Sequence, residues 1–273
     1  MDKRRKNNGF SLTEMLLSIG VLSVGMIFIA GVFPVAIYFS TVSTERTMAA
    51  VVADEAFAKI KIYAEGDPND IIPPGDDVRV DLLRDDRLQS FSDANIFRAT
   101  DGIEPNEFTY PSDLDISLKQ KQYYWSALCR LSESDVNNPN PPVQVTVFVC
   151  RKVAQHLEYY KPNSDGEVDW STPEYTNRPV PVKVEVSQLG LRDNELRIRN
   201  SDEKSFINDG YTIVDDKTGR IYRVLKRYPE NDDTILLDKD WCDDCGDAVW
   251  VVPPPENGSR GPCIAVYQRV IQF

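Results

Sequence analysis

Residues 15–39 run for 25 positions without a charge, MLLSIGVLSVGMIFIAGVFPVAIYF. As an α-helix rising about 1.5 Å per residue, that length covers the roughly 30 Å hydrocarbon core of a bilayer. Lys3, Arg4, Arg5 and Lys6 stand directly before the run and no basic residue stands directly after it. This asymmetry places the N-terminus in the cytoplasm and the C-terminal part of the chain on the exported side. The run is longer than the 7–15-residue core of a cleaved secretory signal, and the sequence after it continues as helix rather than as a cleavage site. The chain is therefore expected to be held in a membrane by its N-terminal segment.

Bulk composition describes a water-facing protein, with 27% charged residues. The formal net charge is −12, and it lies wholly beyond the basic first nine residues. An acidic surface excludes nucleic acid as the main partner, because phosphate binding needs a stripe of Lys and Arg. No nucleophile elbow, phosphate loop or zinc-protease helix is present. With one histidine, His156, and no activated nucleophile, the sequence offers no enzyme.

Glu14 opens the apolar run, preceded by Phe10, Ser11, Leu12 and Thr13. A carboxylate at that depth in a bilayer is costly without a partner. The string Gly9-Phe10-Ser11-Leu12-Thr13-Glu14 resembles the cleavage and methylation motif of type IV pilin-like and pseudopilin precursors: a basic leader ending in Gly, then Phe, then Glu at the fifth mature position. The resemblance implies a leader of residues 1–9, cleavage between Gly9 and Phe10 by a prepilin peptidase, and N-methylation of Phe10. It implies a structural subunit, minor pilin or pseudopilin, of a type IV pilus or a type II secretion-like filament. Its partners would be other such subunits, an inner-membrane assembly platform and lipid, and its body would lie in the periplasm. Glu14 would pair with the amine of a neighbouring subunit. The alternative is a single-pass, membrane-anchored periplasmic binding module that joins no filament. Pilins often carry a helix-bending proline near the middle of the apolar run; Pro34 sits later than that.

The fold class expected is α+β: a long N-terminal helix over 10–65, with 15–39 spanning the membrane, packed on an antiparallel β body. Ala49, Val52, Ala56, Ile60 and Tyr63 recur at helical spacing, with Glu45, Arg46, Asp54, Glu55 and Lys59 opposite. The helix would be on the order of 80 Å long. Residues 66–153 read as a pilin-like body holding one hairpin, with a short helix over 80–88 and strands over 123–131 and 143–152. In the second strand Val143, Val145, Val147 and Val149 alternate with Gln144, Thr146 and Phe148. That periodicity turns Cys129 toward the helix and Cys150 outward. Residues 154–179 read as a polar connection. Residues 180–273 read as a second β-rich subdomain of short strands, a compact sheet or small barrel, with a hairpin turning at 215–219.

Five cysteines are too few for a disulfide scaffold. Cys242 and Cys245 form a CxxC, with Cys263 downstream. In an exported domain a disulfide among these three is expected, either closing the CxxC or joining Cys263 to one of its cysteines. Free thiols and zinc are the alternatives, and zinc wants a fourth ligand that His156 is poorly placed to supply. No cofactor is expected. The run Asp238, Asp240, Asp243, Asp244 and Asp247 has the oxygen ligands calcium takes, but not the spacing of a calcium hand. Asn163, Asp165, Glu167 and Asp169 make a weaker grouping of the same kind.

Overall fold

A computed structural model describes residues 11–63, 88–90, 108–111, 121–132, 142–152, 156–163, 165–189, 192–231, 233–256 and 260–272. The chain divides into two units, residues 1–47 and 48–273. One helix, α1 (Leu12–Tyr63), supplies the first unit and the opening of the second. Every side chain from Ser11 to Ser40 is exposed, the apolar ones included.

In the second unit the strands are β1 (Gln89–Ser90), β2 (Thr109–Tyr110), β3 (Tyr123–Leu131), β4 (Val143–Arg151), β5 (Tyr159–Tyr160), β6 (Tyr175–Thr176), β7 (Val182–Gln188), β8 (Glu195–Ile198), β9 (Thr212–Asp215), β10 (Ile221–Arg227), β11 (Thr234–Leu237), β12 (Ala248–Val251) and β13 (Cys263–Ile271). The first sheet runs β1-β3-β4-β13, with β2 beside β1 on the same edge of β3. All its pairings are antiparallel. The α+β class is as expected from the sequence. The short helix expected over 80–88 falls outside the described residues except for Leu88, which is not helical.

The last turns of α1 lie on this sheet. Ala49, Val52, Ala53, Ala56, Phe57 and Ile60 are buried against Trp125, Ala127, Cys129, Val143, Val145, Val147 and Val149. Small residues at 49, 53 and 56 let the helix approach closely, while Phe57 and Ile60 fill the space between the rows. Asp54 on the outer side of the helix pairs with Arg269 of β13 at 2.5 Å, and the Arg269 guanidinium lies 4.7 Å from the Phe57 ring centroid. Glu55 pairs with Lys59 one turn on, at 2.8 Å. Glu45, which the periodicity groups with these polar residues, is buried.

The other face of the sheet is covered as well. Strands β7 to β12 close into a six-stranded barrel in the order β10-β11-β8-β7-β12-β9. Val182, Val184 and Val186 point into it while Lys183 and Glu185 point away, the period-two pattern of a strand with one wet face. Leu196, Ile198, Ile213, Val224, Ile235, Leu237 and Val249 complete the interior. A separate apolar cluster joins barrel and sheet: Leu128, Phe148 and Cys150 from the sheet meet Val214, Trp250 and Val252. Cys150 therefore points away from the helix, as its position in the alternation requires, but it is fully buried instead of facing outward. The register also separates it from Cys129, which lies opposite Val145.

The β-rich unit expected over 180–273 is divided. Its strands up to Val251 form the barrel, whereas β13 returns to the first sheet and pairs with β4 along nearly its whole length. The polar connection of 154–179 is also more ordered than its composition implied. It carries the β5–β6 pair, buries Tyr159 and Val168, and stacks Tyr160 against Trp170, Tyr175 and Phe206.

Gly166 in this connection has φ +85°, and a Cβ there would come within 2.1 Å of Trp250 Cη2. The Trp250 ring cannot yield easily, because its Nε1 donates to Asp216 Oδ1 at 2.6 Å inside the barrel–sheet cluster. Gly166→Ala is expected to lower stability by about 2–4 kcal/mol, from the left-handed backbone and the overlap together. Urea unfolding followed by tryptophan fluorescence measures this, and a loss under about 0.5 kcal/mol, the scatter of neutral surface changes, would contradict it.

Candidate functional site

The residues singled out most strongly by the sequence lie at two places: the N-terminal helix and the corner around the CxxC. Gly9 and Phe10 lie outside the described residues. Glu14 lies in the first turn of α1, where a carboxylate meets the positive end of the helix dipole. Its N–H donates to Ser11 O at 3.0 Å, and its side chain is exposed.

The polar side chains of the apolar segment are accommodated within the helix itself. Ser18 donates to Glu14 O and Ser23 to Ile19 O, each at 2.8 Å, and Thr41 donates to Ile37 O at 2.9 Å. These hydroxyls need no water, which fits them to a medium that offers no hydrogen bonds. The helix runs through Pro34 without interruption. By length and composition it is able to cross a membrane. Glu14 is then the one described group between Ser11 and Ser40 whose charge has no counterpart on that stretch.

At the second place, Cys242 and Cys245 are joined by a disulfide, with Cα atoms 5.1 Å apart. Cys263 is not part of it and remains a half-buried thiol, as Cys129 and Cys150 remain buried ones. Sequence reasoning did not pick out the residue that organises this corner, Asp215, which is fully buried at the end of β9. Its Oδ2 accepts from Thr218 N and Thr218 Oγ1, both at 2.6 Å, and its Oδ1 accepts from Gly246 N at 2.8 Å. One carboxylate thus fastens the β9–β10 turn to the loop that carries the CxxC. Thr218 Oγ1 lies 3.9 and 3.8 Å from the two sulfurs. Tyr222 Oη lies 3.2 Å from Cys245 Sγ, and burial is the main cause pushing its phenol up. Asp215, Cys242 and Cys245 are the group of candidate metal donors that converges among the described residues. Both carboxylate oxygens and both sulfurs are already engaged, so the corner acts as a clasp. The signal for Asp215 was an Asp opening a turn with Thr three residues later, which names a turn but not its burial.

The aspartates considered for calcium run through this same loop, with Asp243 and Asp244 between the two cysteines. Asp238, Asp240, Asp243, Asp244 and Asp247 are all exposed, and Asp238 Oδ1 accepts from Arg223 N at 2.9 Å. In the other acidic grouping, Asn163 Oδ1 accepts from Asp165 N and Glu167 N, both at 2.9 Å. Glu167 pairs with Lys183 at 3.5 Å. Asp169 accepts from Ser171 Oγ and N and from Thr172 Oγ1, and these bonds hold its carboxyl below the usual range. Apart from the pair with Lys183 of β7, these are contacts within turns. His156 is exposed in a turn of its own.

The prokaryotic N-terminal methylation motif matches residues 4–30 of this chain. No curated protein and no solved structure matches the chain. The motif together with the long apolar helix is the N-terminal arrangement of a type IV pilin-like precursor, a structural class that prepilin peptidase processes and that assembles with other pilin subunits. The match ends at residue 30, and the body beyond it is described by its own residues.

Asp215→Ala is expected to destabilise the protein by about 1.5–3 kcal/mol, because it removes a fully buried charged acceptor of three hydrogen bonds from the half-buried Thr218 and Gly246. Asp238→Ala, at an exposed position, is expected to cost under about 1 kcal/mol. Denaturant midpoints of the two variants measure the difference, and equal losses would remove the role given to Asp215.

Proposed function

We propose that this chain is a minor subunit of a type IV pilus or of a type II secretion-like filament, made as a precursor and cut between Gly9 and Phe10. The observation that carries the reading is a helix apolar and exposed from Leu12 to Phe39, with one carboxylate, Glu14, at its head. Such a surface is too large for water and finds its partner in lipid or in sister helices. The matching methylation motif over 4–30 supports the second destination as the endpoint.

In this reading the N-terminus starts in the cytoplasm and the body, residues 48–273, stands in the periplasm. The basic residues 3–6 hold that orientation. Cleavage frees the amine of Phe10, which is then methylated and remains a cation. During assembly the Glu14 carboxylate of one subunit pairs with the Phe10 amine of a neighbour as the helix leaves lipid for the filament core. A buried charge is retained at low cost only when so paired. The assembly platform in the inner membrane would supply the geometry for this exchange. The barrel supports a low-copy or tip position, because it adds bulk that a closely repeating subunit would have to accommodate at every step.

N-terminal and intact-mass analysis of protein from native membranes tests the processing. The expected chain begins at N-methylated Phe10 when prepilin peptidase is present and at Met1 when it is absent. A chain that begins at Met1 in both backgrounds would overturn the proposal and favour a membrane-anchored binding module. Gly9→Ala is expected to block processing. Glu14→Ala is expected to leave membrane insertion unchanged while lowering recovery in sheared filaments by about tenfold or more, as loss of one partner from a buried pair requires. Normal incorporation of that variant would dismiss the pairing.

A further inference from the structure

The barrel is inserted between two strands that are neighbours in the first sheet. The chain leaves β4 at Arg151, builds the barrel, and re-enters beside β4 as β13. Cys150 stands at the exit and Cys263 at the return, and the two are register partners across the ladder. Arg151 N donates to Pro262 O at 2.8 Å, just outside the pair. On that side Cys150 and Cys263 have the bonding of a non-hydrogen-bonded pair, the kind whose Cα atoms approach to about 4.5 Å with their side chains close together; on the other side the ladder bulges between Cys263 and Ala265, so that Cys263 still faces Cys150. A disulfide spans Cα separations of roughly 4.4–6.8 Å. Both side chains lie on the same face, in the cluster with Phe148, Val214 and Trp250, and both are thiols. Cys129 has no such counterpart: it lies on the helix face opposite Val145.

We propose that Cys150 and Cys263 form a second disulfide, which staples the neck through which the barrel joins the sheet. The oxidant is an external disulfide, either a small molecule such as oxidised glutathione or an oxidoreductase. Cys263, half-buried, attacks one sulfur of that disulfide as the thiolate, giving a mixed disulfide and releasing one thiolate. Cys150 then gives up its proton and attacks Cys263 Sγ, releasing the second thiolate. Two thiols of the chain are oxidised, one external disulfide is reduced to two thiols, and the protons end on the leaving sulfurs. Burial, with the neighbouring Cys263 sulfur, pushes the Cys150 thiol well above its ordinary value, which fits it to the second step and not the first. The state of the pair in the cell rests on the proposed export of the body to an oxidising compartment; its capacity to link does not.

The test uses the full-length chain, purified in detergent under reducing conditions, freed of reductant and treated with oxidised glutathione. Remaining thiols are alkylated after denaturation and mapped by peptide mass. The expected product is a peptide pair joined through Cys150 and Cys263, two hydrogens lighter than its halves, with labelling confined to Cys129. Cys263→Ser should abolish the pair and leave Cys150 labelled. Alkylated Cys150 together with alkylated or glutathione-bearing Cys263, in a sample whose Cys242–Cys245 bond has closed, would overturn the proposal. The same mapping on native membranes separates the two readings: a linked purified chain that is reduced in its membrane counts against export of the body alone.

Discussion

Strand β4 has no solvent face. Its odd-numbered valines lie under α1, and its even-numbered residues Gln144, Thr146, Phe148 and Cys150 lie under the barrel. Each fully buried valine is worth about 1.5–3 kcal/mol over an exposed one, but the polar residues between them must be satisfied in place. Arg130 Nε donates to Gln144 Oε1 at 2.9 Å and its Nη1 donates to Lys217 O at 2.8 Å. Gln268 Nε2 donates to Thr146 Oγ1 at 3.0 Å and to Gly219 O at 2.8 Å. The second face of the sheet is thus apolar near Phe148 and Trp250 and polar near the 215–219 turn. This mixed surface specifies how the barrel sits, since apolar contact alone would not fix its orientation. Gly219, with φ +70°, is required where the turn meets the sheet: a Cβ would fall 2.6 Å from Gln144 Nε2.

The two units obey opposite rules. In the second, apolar side chains are inside and charged ones are paired or wet. In the first, apolar side chains face outward, and the few hydroxyls fold back onto their own helix. A chain built this way is incomplete as a single copy in water. Its helix needs surroundings as apolar as itself, and Glu14 needs a cation that no side chain from Ser11 to Ser40 supplies. The proposed role as an assembled subunit rests on that incompleteness more than on any feature of the barrel.

Local pattern made some of this legible. The uncharged run, the Gly9 to Glu14 string and the alternation of Val143 to Val149 are all short-range signals, and helix, motif and strands are where they point. Ala53 and Phe57 also lie on the buried helix face, at four-residue steps from Ala49, which widens the stripe from one row to two. What lay out of reach was long-range. Nothing near Cys263 says that it pairs with Cys150 more than a hundred residues earlier, so β13 read as one more strand of the barrel. Nothing near Phe148 or Cys150 says that a second layer will cover them, so they read as surface. Asp215 is one of 43 acidic residues, and only burial distinguishes it from the exposed aspartates of 238–247.

The position of the barrel has a consequence for how such a chain changes over generations. An insert whose two ends are adjacent in one ladder is a cassette: its outward strands and loops can be lengthened or exchanged while the host sheet keeps its register, provided the contact over Phe148 and Trp250 is kept. Selection on whatever the outer surface of the barrel meets is thereby largely uncoupled from selection on the helix and sheet that carry it. The same anchoring frame is free to display different heads.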